Sequence, residues 1–269
     1  MLYANSILAE IGLTLLQPVL KMVEKHSDKY VKFRFYGSLN DFLVHGNRHK
    51  SFKRYYFGNP TVKDLIESTG VLHPEVSLIL CNGDEVTFGF RPQPFSRIAC
   101  YPQFHFLPVE SLLRIPLARP LKFILDVHLG KLASYLRICG FDTLYSSSFA
   151  DDEIISISSA QNRVIVTRDK GILRNGKVTY GYFMRSNVPK AQLKELFYEF
   201  DMKKDVRPFS RCTYCNGLFE KVTLNDVNSL LKEGTARSYS EFYRCTSCGK
   251  VYWIGAHSKN ILKIIGEFL

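Results

Sequence analysis

Cys212 and Cys215, and again Cys245 and Cys248, form two C-x-x-C pairs with 29 residues between the pairs. A tetrahedral Zn²⁺ takes four soft thiolates, and each short pair supplies two of them from one turn. Asn216-Gly217 follows the first pair and Gly249 the second. Such residues tolerate positive φ, which lets backbone N–H groups turn back toward sulfur. The spacing predicts a closed, structural zinc site. Two disulfides or free thiols are the alternatives, and a cytosolic setting disfavours the disulfides.

A second constellation is acidic. Asp126 and Asp169 each follow closely on an apolar run, Leu121 to Leu125 and Arg163 to Thr167. Asp151-Asp152-Glu153 opens the helical pattern between them. In an open parallel sheet, ligands collect at the carboxyl ends of the strands. Carboxylates gathered there repel one another unless a cation compensates. A hard divalent ion, Mg²⁺ or Mn²⁺, would do so and would also activate water and stabilise a phosphoryl transition state. Plainer readings stand beside this one. Asp151 suits a helix N-cap, and Asp169 could pair with Arg168 or Lys170 on a turn. Asp126 is harder to dismiss, because a carboxylate ending a buried strand is costly without a partner. Lys131, Arg137, Arg168, Lys170, Arg174, Lys177 and Arg185 surround this edge in sequence and could hold phosphates. Each alone reads equally well as part of a solvated face.

The elements that must position these groups follow from hydropathy patterning. Val31, Phe33 and Phe35 alternate with Lys32, Arg34 and Tyr36, a half-buried strand. A second run covers Tyr55-Tyr56-Phe57, and Thr61 caps a short helix with Val62, Leu65 and Ile66 inside. Asn82-Gly83 splits Ser77 to Phe88 into a hairpin, and Arg97 to Tyr101 is a last strand. This is a small α+β domain. Prolines concentrate over residues 92–120, which places a boundary near 109–120. Beyond it the pattern is α/β. The strand ending at Asp126 is followed by a helix with Leu129, Leu132, Ala133 and Leu136 on one face and Gly140 as its stop. Phe141 to Tyr145, Arg163 to Thr167 and Lys177 to Met184 read as further strands, and Pro189 to Phe200 as a helix. Such alternation implies a parallel sheet.

The composition is that of a folded protein, 46% hydrophobic and 23% charged, which excludes wholesale disorder. Thirty-six Lys and Arg against 25 Asp and Glu give a net charge of +11, favouring a polyanion, with nucleic acid ahead of an anionic membrane. Cys81, Cys100 and Cys139 sit in apolar contexts and read as core residues; an odd, unpaired set fits a reducing, cytoplasmic compartment. No run of apolar residues is long enough for a transmembrane helix. Glu10 and Pro18 interrupt the apolar start, a poor signal peptide. A helical extension or an over-long translation start explains residues 1–30 better.

With these residues in hand, the chain resembles a PIN-type nuclease, and more narrowly the Mut-seven C-terminal RNase family. The resemblance is carried by Phe123 to Arg137 with the Leu129-Gly130-Lys131-Leu132-Ala133 motif, Cys139 to Thr143, Asp151 to Ile155 and Val166 to Gly171. It extends to the ribbon stretches Arg211 to Asn216 and Glu241 to Trp253, followed by Gly255-Ala256-His257. Residues 31–107 are similar to the ubiquitin-like (β-grasp) domain that prokaryotic members carry in front. The resemblance implies a ubiquitin-like domain over 31–108, a PIN-like α/β domain over 119–208, a four-cysteine zinc ribbon over 209–257 and a tail over 258–269. It implies a metal-dependent RNase with Asp126, Asp151 and Asp169 as Mg²⁺ or Mn²⁺ ligands and Asp152 or Glu153 as a fourth acidic position. Lys131, Arg137, Arg168 and Lys170 are the expected substrate contacts, and His128 stands where family members often carry an acidic or polar residue. The front domain lacks a Gly-Gly terminus, so conjugation is not expected. RNA or a protein or ribosome partner is expected there instead, through Arg48, Lys50, Lys53, Arg54, Tyr55 and Tyr56. The competing reading is a non-catalytic RNA-binding or ribosome-binding adaptor with a degenerate PIN fold.

Overall fold

The structure, a computed structural model, describes residues 29–104, 111–113, 116–231 and 233–255, with Lys263 and Gly266. The expected N-terminal extension (bar Lys29 and Tyr30), the tail and His257 therefore lie outside the described residues, Lys263 and Gly266 aside. The chain divides into two compact units, one holding the described residues up to Phe104 and 111–113, the other those from Pro116 on.

The first unit is a five-stranded mixed sheet. Its strands are β1 (Tyr30–Phe35), β2 (Phe52–Tyr55), β3 (Leu78–Cys81), β4 (Asp84–Glu85) and β5 (Arg97–Tyr101), in the order β2-β1-β5-β3-β4. The central β1 and β5 are parallel and their other neighbours antiparallel, as a β-grasp requires. Val31, Phe33, Phe35, Ile79 and Ile98 form the buried face, against Leu65 and Ile66 of helix α1 (Val62–Glu67). A reciprocal capping box between Thr61 and Asp64 starts α1. Asn82 and Gly83 both have positive φ, the type I′ geometry that matches strand twist in a two-residue hairpin. The second strand lies earlier than expected. Tyr56 is buried and its hydroxyl donates to the Pro92 carbonyl at 3.4 Å. Arg48 meanwhile donates to the Leu43 and Asp41 carbonyls. Tyr56 is thus a structural support rather than a member of the expected basic, aromatic surface, while Arg48 is exposed and held by these two carbonyls.

The second unit contains a four-stranded parallel sheet in the order β7-β6-β8-β9, built from β6 (Lys122–Leu125), β7 (Asp142–Tyr145), β8 (Val164–Thr167) and β9 (Gly181–Phe183). Helices α2 (Gly130–Ile138), α3 (Asp151–Gln161) and α4 (Lys170–Arg174) are the crossovers, and α5 (Pro189–Phe200) follows. The alternating strand residues divide between two faces. Phe123, Leu125, Val164 and Val166 join Leu132, Leu136, Leu193, Leu196 and Phe197 of α2 and α5 in one core. Helix α3, with buried Ile154 and Ile155, packs on β6 and β8. The strand expected over Lys177 to Met184 shortens to β9, because the Asn175 side chain and carbonyl accept from the Lys177 and Val178 N–H groups and hold a turn there. Gly130 of the Leu-Gly motif has a packing reason. A Cβ there would lie 2.7 Å from the Tyr145 hydroxyl, which donates to the Val127 carbonyl and seats β7 against the start of α2.

Strands β10 (Phe219–Val222), β11 (Phe242–Cys245) and β12 (Val251–Trp253) form an antiparallel sheet in that order. A carboxylate on β7 ties the first cysteine turn, which leads into this sheet, to the parallel sheet. Asp142 Oδ1 accepts from Arg163 Nη1 at 2.7 Å and from Asn216 Nδ2 at 2.8 Å, and Arg211 lies 3.6 Å from its other oxygen. Asn216 Oδ1 in turn accepts from the Thr143 N–H at 3.0 Å. Burial pushes the Asp142 carboxyl up, but the Arg163 and Asn216 hydrogen bonds outweigh it and hold the group below the ordinary carboxylate range. Its folded value is thus lower than its unfolded value of about 3.9, so its stabilisation is present above about pH 4 and is lost as the pH falls further through the folded value. Asp142→Ala should lower stability at pH 7 by about 2–4 kcal/mol, since Arg163 is left buried without its carboxylate. Thermal melts from pH 7 down to 2 test this: the gap between parent and variant should close at the acid end.

Candidate functional site

Two clusters of chemistry-bearing residues lie in the second unit. In the first, the sulfur atoms of Cys212, Cys215, Cys245 and Cys248 all lie within 4.8 Å of one another. The separations Cys212–Cys248 and Cys215–Cys245 are 3.7 and 3.3 Å. These are far beyond the ~2.05 Å of a disulfide and near the ~3.8 Å edge of a tetrahedron built on 2.3 Å zinc–sulfur bonds. Both knuckles have the same shape. Asn216 and Gly249, each one residue past its second cysteine, have φ of 69° and 70°, and their N–H groups reach back to the Cys212 and Cys245 carbonyls. The Ser247 and Cys248 N–H groups point at Cys245 Sγ, at 3.4 and 3.5 Å. Burial alone would raise the Cys245 thiol; these N–H groups and the neighbouring thiols bring it down to about 7, whereas burial drives Cys215 up to about 12. Four thiolates packed this closely need a cation, and the soft, closed donor set can hold zinc.

Arg137, expected on the phosphate path, belongs to this cluster instead. It is buried, donating from Nε to the Thr143 carbonyl at 2.9 Å and from Nη1 to the Thr213 and Tyr214 carbonyls at 3.0 and 2.8 Å. Burial lowers its pKa, and the nearby cysteines and Asp142 oppose that. A guanidinium so committed is a strut under the first knuckle.

The second cluster lies at the carboxyl edge of the parallel sheet. Asp126 directly follows β6 and is only 5% exposed. Its Oδ2 accepts from the Thr167 hydroxyl at 2.7 Å, and no Lys, Arg or His pairs with it among the described residues. The same hydroxyl accepts from the Asp169 N–H at 2.8 Å, so wholly buried Thr167 links the two aspartates. Asp169 itself is exposed and caps α4, its Oδ1 accepting from the Gly171 N–H at 2.6 Å. The capping bond gives Asp169 a local role in starting this short helix. Asp151, Asp152 and Glu153 are exposed in the first turn of α3, which begins at the same sheet edge. Ala150, not Asp151, is the N-cap residue, and the three acids sit where the helix dipole favours negative charge. Among the described residues, the cysteines are the one group of three or more His, Cys, Asp or Glu with convergent ligand atoms. The structure thus brings Asp126 and Asp169 to one hydroxyl and leaves Asp151 and Asp152 apart at the rim. Lys131, Arg168, Lys170, Arg174, Lys177 and His128 are exposed. Arg185 is half-buried over the Tyr182 ring and near Glu195.

The family model described as the Mut7-C RNAse domain matches residues 121–265, more than half of the chain, taking in both clusters. The chain belongs to the Mut7-C RNAse domain family. A second model, the Mut7-C ubiquitin domain, matches residues 28–107, the first unit. No curated protein and no solved structure matches the chain. Membership in the Mut7-C family makes the chain a member of a nuclease family, with RNA as the substrate class that the family description names. No described helix is long and apolar enough to cross a membrane.

Metal analysis tests the cysteine cluster. Purified protein should carry about one zinc per chain, released by a chelator or by a thiol-modifying reagent, and Cys245→Ser should lose it. Protein without zinc, unchanged in its melting by chelation, would contradict the assignment.

Proposed function

We propose that this Mut7-C protein is a metal-dependent ribonuclease that hydrolyses RNA phosphodiester bonds at the carboxyl edge of its parallel sheet. One observation carries the reading: the Asp126 carboxylate is buried at the end of a central strand and, among the described residues, has a single neutral hydroxyl as its side-chain partner. A carboxylate in that setting is ordinarily held by a cation. The oxygen donors at this edge suit Mg²⁺ or Mn²⁺, not the softer metal of the cysteine cluster.

In this reading Asp126, Asp151 and Asp169 hold the ion, with Asp152 or Glu153 as a further acidic position. When bound, such an ion polarises the phosphate and lowers the pKa of water. The residues of the chain do the positioning. Thr167 fixes the rotamer of Asp126 and ties the start of α4 to it. Asp169 would turn from its capping bond toward the edge, and the first turn of α3 brings Asp151 and Asp152 from the far side. Lys131, Arg168 and Lys170, exposed around the edge, would hold backbone phosphates. Arg137 has no part in this. The zinc is structural, because four thiolates leave no open position.

The first unit supports recruitment. Lys32, Arg34 and Arg97 share the open face of β1 and β5 with Tyr36, and none of these cations has a carboxylate partner among the described residues. Arg34 lies 5.3 Å from the Tyr36 ring. Such a face suits RNA, or a ribosomal or protein partner carrying acidic groups. The buried, unpaired Cys81, Cys100 and Cys139 support a cytoplasmic setting. One observation favours the alternative of a non-catalytic RNA-binding adaptor: the edge carboxylates are not drawn together as the four thiols are.

Cleavage of labelled single-stranded and structured RNA in Mn²⁺, Mg²⁺ or EDTA decides between the two. Cleavage should require metal and fall by at least about a hundredfold in Asp126→Asn/Asp169→Asn purified in parallel. Equal cleavage by both proteins, or RNA bound but uncut, favours the adaptor.

A further inference from the structure

Helix α2 and the ribbon sheet enclose a cavity of about 220 Å³. Lys131, Ser134, Tyr135 and Ile138 line it from the helix, the i, i+3, i+4, i+7 stripe left over when Leu132, Ala133 and Leu136 enter the core. The ribbon supplies Phe219, Tyr243, Tyr252 and Trp253. Phe219 and Tyr252 meet with ring centroids 4.8 Å apart, and Phe219 and Tyr243 at 6.3 Å. These rings do not serve the zinc cluster, apart from the Tyr252 hydroxyl at 3.1 Å from Cys212 Sγ.

The lining has a definite chemistry. Half of its lining residues are aromatic, it contains no carboxylate, and its two cations are Lys131 and Arg211. Arg211 is engaged by Asp142 and the Asn216 carbonyl. Lys131 is exposed, its ammonium 5.6 Å from the Tyr135 ring, with no carboxylate partner among the described residues. The volume is below the ~300–1,000 Å³ of pockets for drug-sized ligands, so it takes one planar group and not a whole oligonucleotide. An aromatic slot beside one free cation matches an unstacked base with its phosphate.

We infer that this cavity is a base-stacking subsite for single-stranded RNA, which takes one nucleobase between the α2 stripe and the ribbon rings and places the neighbouring phosphate on Lys131. The inference rests on the nuclease reading for its choice of RNA and adds to it a base site that starts at Lys131, beside the acidic edge, and runs away from it along α2. Lys131 is the second residue of α2, shortly after the turn that begins at Asp126, and the stripe runs about 10 Å from it along the helix. The ribbon is then a wall of the substrate path as well as a stabilising module.

The protein carries its own reporter, because Trp253 is the one tryptophan of the sequence. Full-length Asp126→Asn/Asp169→Asn protein, zinc-loaded, is titrated with a short single-stranded oligonucleotide, with AMP and with ribose 5-phosphate. Trp253 fluorescence and the anisotropy of labelled RNA are read together. The oligonucleotide and AMP should quench Trp253 saturably, and ribose 5-phosphate should not. Lys131→Glu, at an exposed position, and Tyr243→Ala, checked by zinc content, should each weaken oligonucleotide binding by about tenfold or more. The inference is overturned if RNA raises anisotropy without quenching, if both variants bind like the parent, if RNA does not bind, or if tyrosine amide quenches as well as AMP. Metal-dependent cleavage by the parent enzyme with a silent Trp253 removes this subsite alone. Quenching without any cleavage removes the nuclease reading alone.

Discussion

Asp142 does for the second unit what a disulfide does for a small secreted domain: it makes two sheets into one body. The residue opens the edge strand β7 and carries a charge into a half-buried position. Arg163, almost wholly buried, balances that charge from the next strand segment, and Asn216 spans from the carboxylate to the Thr143 N–H. Arg137 completes the joint by holding the carbonyls of the first knuckle. The acceptors of Arg137 lie on β7 and in the first cysteine turn, and Asn216 of that turn donates to Asp142, so a shift of the knuckle would break bonds to buried charged groups.

The acidic edge is organised on the opposite principle. Asp142 is answered by Arg163 and Asn216; Asp126 has no Lys, Arg or His partner among the described residues. Thr167 gives that carboxylate an orientation without neutralising it, and the close seating of Tyr145 over Gly130 fixes the turn through which the chain leaves it. In the proposed reading the site is shaped ahead of any cation, while the carboxylates of α3 and α4 lie at the surface in capping and helix-dipole roles. Those roles are weak, about 1 kcal/mol each, so they are easily given up to a divalent ion.

Much of this was legible in the chain. The period-two pattern of Val31, Phe33 and Phe35, the Asn82-Gly83 turn and the apolar runs before Asp126 and Asp169 are local signals, and local signals survive into the fold. The paired C-x-x-C spacing with a left-handed residue after each pair predicted the geometry of both knuckles. What sequence alone missed was long-range. Nothing in Arg137 distinguishes it from Lys131 until the knuckle, some 76 residues later, places two carbonyls beside it. Tyr56 reads as an exposed strand aromatic because its partner, Pro92, lies 36 residues further on. Thr167 was read only as the end of a strand, although a threonine at that position, two residues before an aspartate, was the available sign of a capping turn. The Thr223 to Asp226 capping box, which starts a short helix at Leu224–Val227, is likewise a local signal present in the chain.

The account turns on whether the buried Asp126 carboxylate is a cation ligand, and Mn²⁺ binding reads that without reference to turnover. Zinc-loaded protein, titrated with Mn²⁺ and followed by the loss of the free-ion EPR signal, should show a site that Mg²⁺ competes for and that Asp126→Asn removes while the zinc content stays unchanged. Mn²⁺ binding that is absent, or equal in the parent and Asp126→Asn proteins, would contradict it.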